Sequence, residues 1–283
     1  MGFSSVDDLV NKISTNGKIS KLLYQKTSVN AAASLAGRWH ECFTWNGFPS
    51  AGVLAGTPGS AFAMSRANAG ALPINGDVAP ETRHLLNASA WSPTVTLVPA
   101  TFILCDFLVT YPSLVVTGTP TVLSATALPR YTDGAGVMGI VSVQTALGAA
   151  SPQLTFNYTD QDGNPGNVAS AIISPGSSAP LSTLFQADGS PFIRLAAGDT
   201  GIRSVQSYTL AAGTTGSVSL SLVRPLATIP VLATNTASER DFLYQLPSLP
   251  KIEDGACLGW IVQIGGALIA GGTFQGVADI GWG

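Results

Sequence analysis

Residues 38–45 read RWHECFTW and place Arg38, His40, Glu41 and Cys42 between Trp39 and Trp45. A cysteine beside a histidine suggests a thiol nucleophile with its base. That couple is normally assembled from distant parts of a chain, because neighbours along one strand do not face each other. Alternation on a strand sends Trp39, Glu41 and Phe43 to one side and His40, Cys42 and Thr44 to the other. The segment therefore reads as a strand whose aromatic side packs inward. In the competing reading, Trp39 and Trp45 meet a partner, with Arg38 as a hydrogen-bonding anchor.

Residues 130–140, RYTDGAGVMGI, combine Arg130, Tyr131, Asp133 and three glycines. Gly134 and Gly136 make a G-x-G, but a phosphate cradle needs a third glycine and a following helix whose N-terminus meets the anion. Here the next residues read as strand. Asp133-Gly134 is expected to make a tight turn and Gly136 to allow close backbone approach. Arg130 and Tyr131 shape that turn and are offered as partner-contact residues.

DQDGN, from Asp160, imitates a calcium loop, but its sixth position is Pro165 and its twelfth Ala171, where glycine and a bidentate Glu are required. His84 follows Glu81 at a spacing that shares a face if helical. No second such pair exists to complete a metal site, so His84 is assigned to the surface or a cap. Most acids stand in turn contexts (Asp77, Asp133, Asp162, Asp188, Asp199, Asp254), and no G-x-S-x-G elbow occurs. The reading is of a protein that is not an enzyme, with no cofactor and no metal.

Only 10% of the 283 residues are charged, mean hydropathy is +0.33 and net charge is −3. A typical soluble domain carries roughly 25% charge. So few charges fit a membrane, or a surface covered by copies of itself or by partners. The longest apolar candidate, WIVQIGGALIAGG from Trp260, includes Gln263 and four glycines and falls short of the ~18 residues that a span needs. The opening MGFSSVDDLV has acids where a secretory signal is basic, and Val6 breaks the myristoylation pattern. No basic face is available for nucleic acid. Cys42, Cys105 and Cys257 are odd in number and far apart, and Cys105 in TFILCDFLV reads as a buried free thiol.

The elements that must position these residues are mostly strands. Ser5 caps a short helix, with Asp8 completing the box and Val6, Leu9, Val10 and Ile13 at helical spacing. Asn16-Gly17 stops it, and KISKLLYQK is read as a further helical turn. This gives an arm over 1–30. From residue 31 onward the signal is β. TVTLVPATFILCDFLVTY is divided into two strands at Pro99, SLVVTGTPTVLSA is a hairpin about Gly118, and GVMGIVSVQTAL is a buried strand. LTFNYTDQDGNPGNVASAII is the clearest hairpin, with Leu154, Phe156 and Tyr158 alternating outward. On its return, Val168, Ser170 and Ile172 share one face and Ala169, Ala171 and Ile173 the other, and either can be the buried one. IRSVQSYTLAAGTTGSVSLSLVRPL is read as a second hairpin. The stretch 46–80, rich in Gly, Ala and Pro, is a long irregular loop suited to embracing a neighbour.

The fold class is therefore mainly β: antiparallel sandwich or jelly-roll-like modules over 31–150 and 151–283, behind a short N-terminal helical arm. The stretches ALPRYTDGAGVMGIVSVQTALG, LTFNYTDQDGNPG, FIRLAAGDTGIRSVQSYTL, SLVRPLATIP and LPSLPKIEDGACLGWI resemble head-stabilising cement or decoration proteins of tailed bacteriophages. The resemblance runs from about residue 35 to the end. It implies a virion protein made in the host cytoplasm, homo-oligomeric as a trimer and bridging subunits of the major capsid protein. It carries no site residues. A major capsid subunit of that class would bring a long spine helix, which no stretch supplies. A tail-associated glycan-binding protein would bring exposed aromatics paired with acids, which are sparse.

Overall fold

The computed structural model describes residues 2–30, 33–115, 118–124, 126–147, 153–172, 181–186, 188–211, 215–245 and 249–283. Among the described residues a helical segment, α over Val6–Val10 and π over Asn11–Thr15, precedes sixteen strands. The first eight are β1 Ile19–Thr27, β2 Trp39–Glu41, β3 Asn46–Phe48, β4 Phe62–Ala63, β5 Arg83–Trp91, β6 Ala100–Val115, β7 Thr121–Val122 and β8 Met138–Thr145. The rest are β9 Gln153–Asp160, β10 Asn167–Ile172, β11 Ile202–Leu210, β12 Ser217–Val231, β13 Ser238–Asp241, β14 Lys251–Ile252, β15 Leu258–Ile264 and β16 Thr273–Trp282.

Three sheets result, and every pairing among the described residues is antiparallel. The first runs β13-β5-β16-β1-β3, with β14 also on β5. The second runs β2-β15-β6-β12-β8, with β4 on β6. The third runs β10-β9-β11-β7. The chain is mainly β, as its composition of β-branched and aromatic runs requires.

The second sheet is shared by two sandwiches. Its strands β6 and β12, 16 and 15 residues long, pair along nearly their whole length. At one end Phe102, Leu104, Ile229, Trp260 and Val262 pack against Leu22, Tyr24, Leu85 and Phe274 of the first sheet. At the other end Leu108, Tyr111, Leu220 and Leu222 pack against Phe156, Tyr158, Val205 and Leu210 of the third. At Leu222/Val223 the extra residue of the bulge is Leu108, on β6; at Pro225/Ala227 it is Leu226, on β12, and this second bulge shifts the parity of β12. Even-numbered Leu220 and odd-numbered Ile229 can then both be buried. Pro225 sits at the second bulge, where a missing N–H is tolerated.

Several expectations change. KISKLLYQK is not helical: β1 buries Leu22, Tyr24 and Lys26 on alternate positions and pairs with β16 along its full length. The 1–30 segment is thus an integral strand preceded by a short helix, because period-2 burial against the second sheet outweighs the weak helical pattern. Ser5 does cap that helix, accepting from the Asp8 N–H at 3.0 Å. Ahead of Pro99, Val95–Leu97 is a 3-10 turn, and a single long strand follows. Among the described residues of SLVVTGTPTVLSA, Thr121 and Val122 of β7 pair with β11 and not with the end of β6. β11 and β12 lie in different sheets and face each other across the second core.

The hairpin β9–β10 forms as read, with Tyr158 opposite Asn167. Its open question is settled by packing: Ala169 and Ala171 are buried and Val168 is exposed. Ile173 and the stretch around residue 150 lie outside the described residues. Strands from both sides of that stretch interleave in the first two sheets, so the expected division does not coincide with a change of sheet. Residues 49–80 are largely irregular, but Leu54, Met64, Leu72 and Ile74 are buried in the chain's own cores.

Candidate functional site

Arg130 follows Pro129 into the glycine turn, and its side chain reaches inward. Its Nε donates to Asp106 Oδ2 at 2.9 Å and its Nη2 to Asp106 Oδ1 at 2.7 Å, a two-point ion pair buried on both sides. Nη2 also donates to the Phe107 carbonyl at 3.0 Å and Nη1 to that of Met64 at 3.2 Å. Asp106 accepts in addition from the Cys257 N–H at 2.8 Å. The pair ties together the glycine turn, β6, the residue after β4 and the approach to β15. An acid inside the apolar run ILCDFLV was the signal for it, since a carboxylate in a buried strand must be paired.

Tyr131 has φ of 50°. The Arg224 guanidinium lies 5.5 Å from its ring centroid, within cation–π range. Arg224 also donates to the Ala135 carbonyl. Asp133 Oδ1 accepts from the Ala135 N–H at 3.2 Å, and Gly134 and Gly136 both have positive φ. A side chain at Gly136 would run into the Arg224 guanidinium, so this position needs glycine for approach as well as for its backbone. The turn borders a hollow of about 350 Å³ lined by Tyr131, Arg224, Pro225, Leu226, Pro250, Lys251 and Glu253.

RWHECFTW lies against residues 182–186 and Gly189. Trp39 Nε1 donates to the Gly189 carbonyl and Trp45 Nε1 to Ser182 Oγ, both at 2.8 Å. Arg38 reaches Gln186 Oε1 at 3.4 Å. Trp45 is fully buried and Trp39 is 6% exposed. These tryptophans are therefore core residues, and the reading of them as partner contacts gives way to that of an inward aromatic segment. Arg38 is half-buried and joined to its own chain, and Arg130 is consumed by Asp106. The five candidates do not converge on one site: Trp39 packs with Phe43 and Phe107, while Trp45 packs with Phe274 in the first core.

Around Trp45 lies a buried polar group that sequence reading missed. Lys26 Nζ donates to the carbonyls of Pro49 (2.8 Å), Trp45 (3.2 Å) and Ser50 (3.3 Å). Burial pushes its pKa down to about 8. Glu41 accepts from the Thr44 N–H at 2.9 Å, from Thr44 Oγ1 at 2.5 Å and from Ser142 Oγ at 3.3 Å. Burial pushes Glu41 up to about 7, against those hydrogen bonds. His40 is fully buried, with no partner for either ring nitrogen among the described residues. Burial, then the Arg38 charge, hold it down to about 3, so the ring is neutral. The available signal was Lys26 on the inward parity of Leu22 and Tyr24.

Other candidates resolve locally. Asp160 closes its own hairpin, accepting from the N–H groups of Asp162 (2.9 Å) and Asn164 (2.8 Å) and the amides of Asn164 and Asn167. His84 is on β5 rather than a helix, with Nδ1 3.2 Å from the Leu249 carbonyl. The three cysteines are free and buried. Among the described residues no group of three or more His, Cys, Asp or Glu could hold a metal ion, and no helix is long and apolar enough to cross a membrane.

One exposed surface is the outer face of the first sheet. Register places Leu23 beside Val277 and Val277 beside Ser89, and in the next row Phe48, Gln25, Gln275 and Trp91. Leu23 and Phe48 are exposed, and Trp91 and Val277 half-exposed. Beyond Leu23, Lys21 pairs with Asp279 at 3.0 Å. This is a neutral, partly apolar face.

No protein-family model matches the chain, and no curated protein does. Solved structures that align with it include the VP2 subviral particle of infectious bursal disease virus. There the identity is 9% and the TM-score 0.23, over 96% of this chain and 85% of that one. The Gt strain of the same virus aligns at 9% identity and TM-score 0.20, over 94% of this chain and 81% of that one. Scores this low carry no argument about fold or role.

Proposed function

We propose that this protein is a non-catalytic structural component of a virus particle. It binds and stabilises a bacteriophage capsid shell as a cement or decoration protein, and it is a homo-oligomer, a trimer as the sequence resemblance implies. The observation that carries the reading is a separation of roles. The charged and nucleophilic groups singled out by type and spacing are largely buried or engaged within the chain, while the outer face of the first sheet offers Leu23, Phe48, Val277 and Trp91. With 10% charged residues, such a surface favours association through apolar contact. At about 25 cal/mol per Å², a standard interface of roughly 1,600 Å² supplies ample gross stabilisation. Repeated around a shell, contacts that are individually modest add up.

The test is absolute mass by light scattering on a sizing column, followed by co-sedimentation with capsid shells lacking the protein. A small closed oligomer that sediments with shells supports the proposal. Spontaneous shells would make the chain a major capsid protein instead. A monomer that ignores shells overturns both, and a glycan screen would then test the tail-associated reading.

A further inference from the structure

β1 has an open edge. On one side it pairs with β16 from Ile19 to Thr27, and on the other β3 covers only Gln25 to Thr27. In an antiparallel ladder the backbone groups of successive residues point to opposite sides. Trp282 donates to the Lys18 carbonyl and Ser28 to that of Gly272, so even-numbered positions of β1 serve β16. Gln25 and Thr27 serve β3. Lys21 and Leu23 therefore aim their N–H and C=O groups at the uncovered side, with no backbone partner there among the described residues.

An uncovered edge is a template for another strand unless it is blunted. A lysine is the usual blunting residue, but the Lys21 charge is already matched by Asp279 on the same face. Beside it, Leu23 is 62% exposed and Phe48 54% exposed. Unpaired directional groups next to apolar side chains call for a strand rather than a flat contact.

We infer that this edge takes the same edge of a second copy. Every copy that can accept a strand here also supplies one, and an antiparallel pairing of identical stretches closes on a two-fold axis with neither copy's open stretch of β1 left over. A dyad at Leu22 sets Lys21 against Leu23 of the second copy, so like charges do not oppose. It also joins two first sheets into one continuous sheet. The contact is short, since β3 already occupies the ladder from Gln25 on.

The inference does not rest on the virion reading. Hydrogen exchange on the intact protein tests it: the Lys21 and Leu23 amides should be protected at high protein concentration and lose protection on dilution. Leu23→Pro removes an N–H that is unpaired within one chain, so it should halve the particle mass, from dimer to monomer or from paired trimers to single ones, with little change in melting temperature. Free exchange of both amides at high concentration overturns the inference, and so does a folded Leu23→Pro protein of unchanged mass. If that variant does not fold, the exchange result decides alone. A wild-type trimer with unprotected amides would sink the edge pairing and leave the shell role standing. Paired edges in a protein that ignores shells would do the reverse.

Discussion

Arg130 and Asp106 illustrate why residue types alone misled about contact sites. Removing one member of a buried ion pair typically costs about 3–5 kcal/mol, because the other charge is left uncompensated. Arg130→Met should therefore lower unfolding free energy by roughly that amount, and adding Asp106→Leu should recover most of it. Urea titrations of the single and double variants check this; a mild single variant would mean that water reaches Asp106. Trp45→Ala is likewise expected to cost about 3–5 kcal/mol by opening a cavity, and the loss would show in melting before it shows in assembly. The buried Glu41 and His40 make an opposed pair for pH. Glu41 rises on folding from 4.5 to about 7, so its contribution is whole below pH 4.5 and is lost toward 7. His40 falls from 6.5 to about 3, so its contribution is whole above pH 6.5 and is lost toward 3. Between 4.5 and 6.5 the two slopes offset. Glu41→Gln should unmask the histidine, its melting temperature dropping steadily from pH 6.5 to 4.5 where the wild type stays comparatively flat. Parallel profiles would refute the offset.

Strands show the same dependence on what lies across from them. β9 was legible because Leu154, Phe156 and Tyr158 alternate and Asp160–Gly166 supplies turn chemistry. β10 was half legible, since small residues faced one way and mixed residues the other. Packing against the second core chose Ala169 and Ala171, which are buried within it. Val168→Thr, on the open face, should then change stability by less than about 0.5 kcal/mol. Ala169→Leu should cost about 1–3 kcal/mol by overpacking. Thermal unfolding of the two variants distinguishes the faces, and equal losses would refute the assignment. β1 is the instructive miss. Its short pattern fits helix and strand alike, and only the presence of β16 as a full-length partner selects the strand.

As a whole the molecule is two sandwiches hung on one sheet, with its charges few. Contacts between such surfaces should not be governed by long-range electrostatics. The mass of the assembly is therefore expected to be unchanged between low salt and ~1 M salt, where the screening length is about 3 Å. Dissociation in high salt would point instead to charged contacts such as Arg194 and Asp188, an exposed pair on the third-sheet side.

By itself the sequence determined the class of fold, the scarcity of charge, the capped first helix, the hairpin β9–β10 and the glycine turn after Arg130. Each of these follows from neighbours along the chain or from composition, which sequence carries directly. Only the tertiary structure decided that β1 is a strand, that β11 and β12 part into different sheets, and that Trp39, Trp45 and Arg130 point inward. It also decided that Lys21 and Leu23 keep an open edge. These depend on partners far away in sequence, such as Asp106 for Arg130 and β16 for β1. A local pattern cannot tell a side chain that will be covered from one that will meet another molecule.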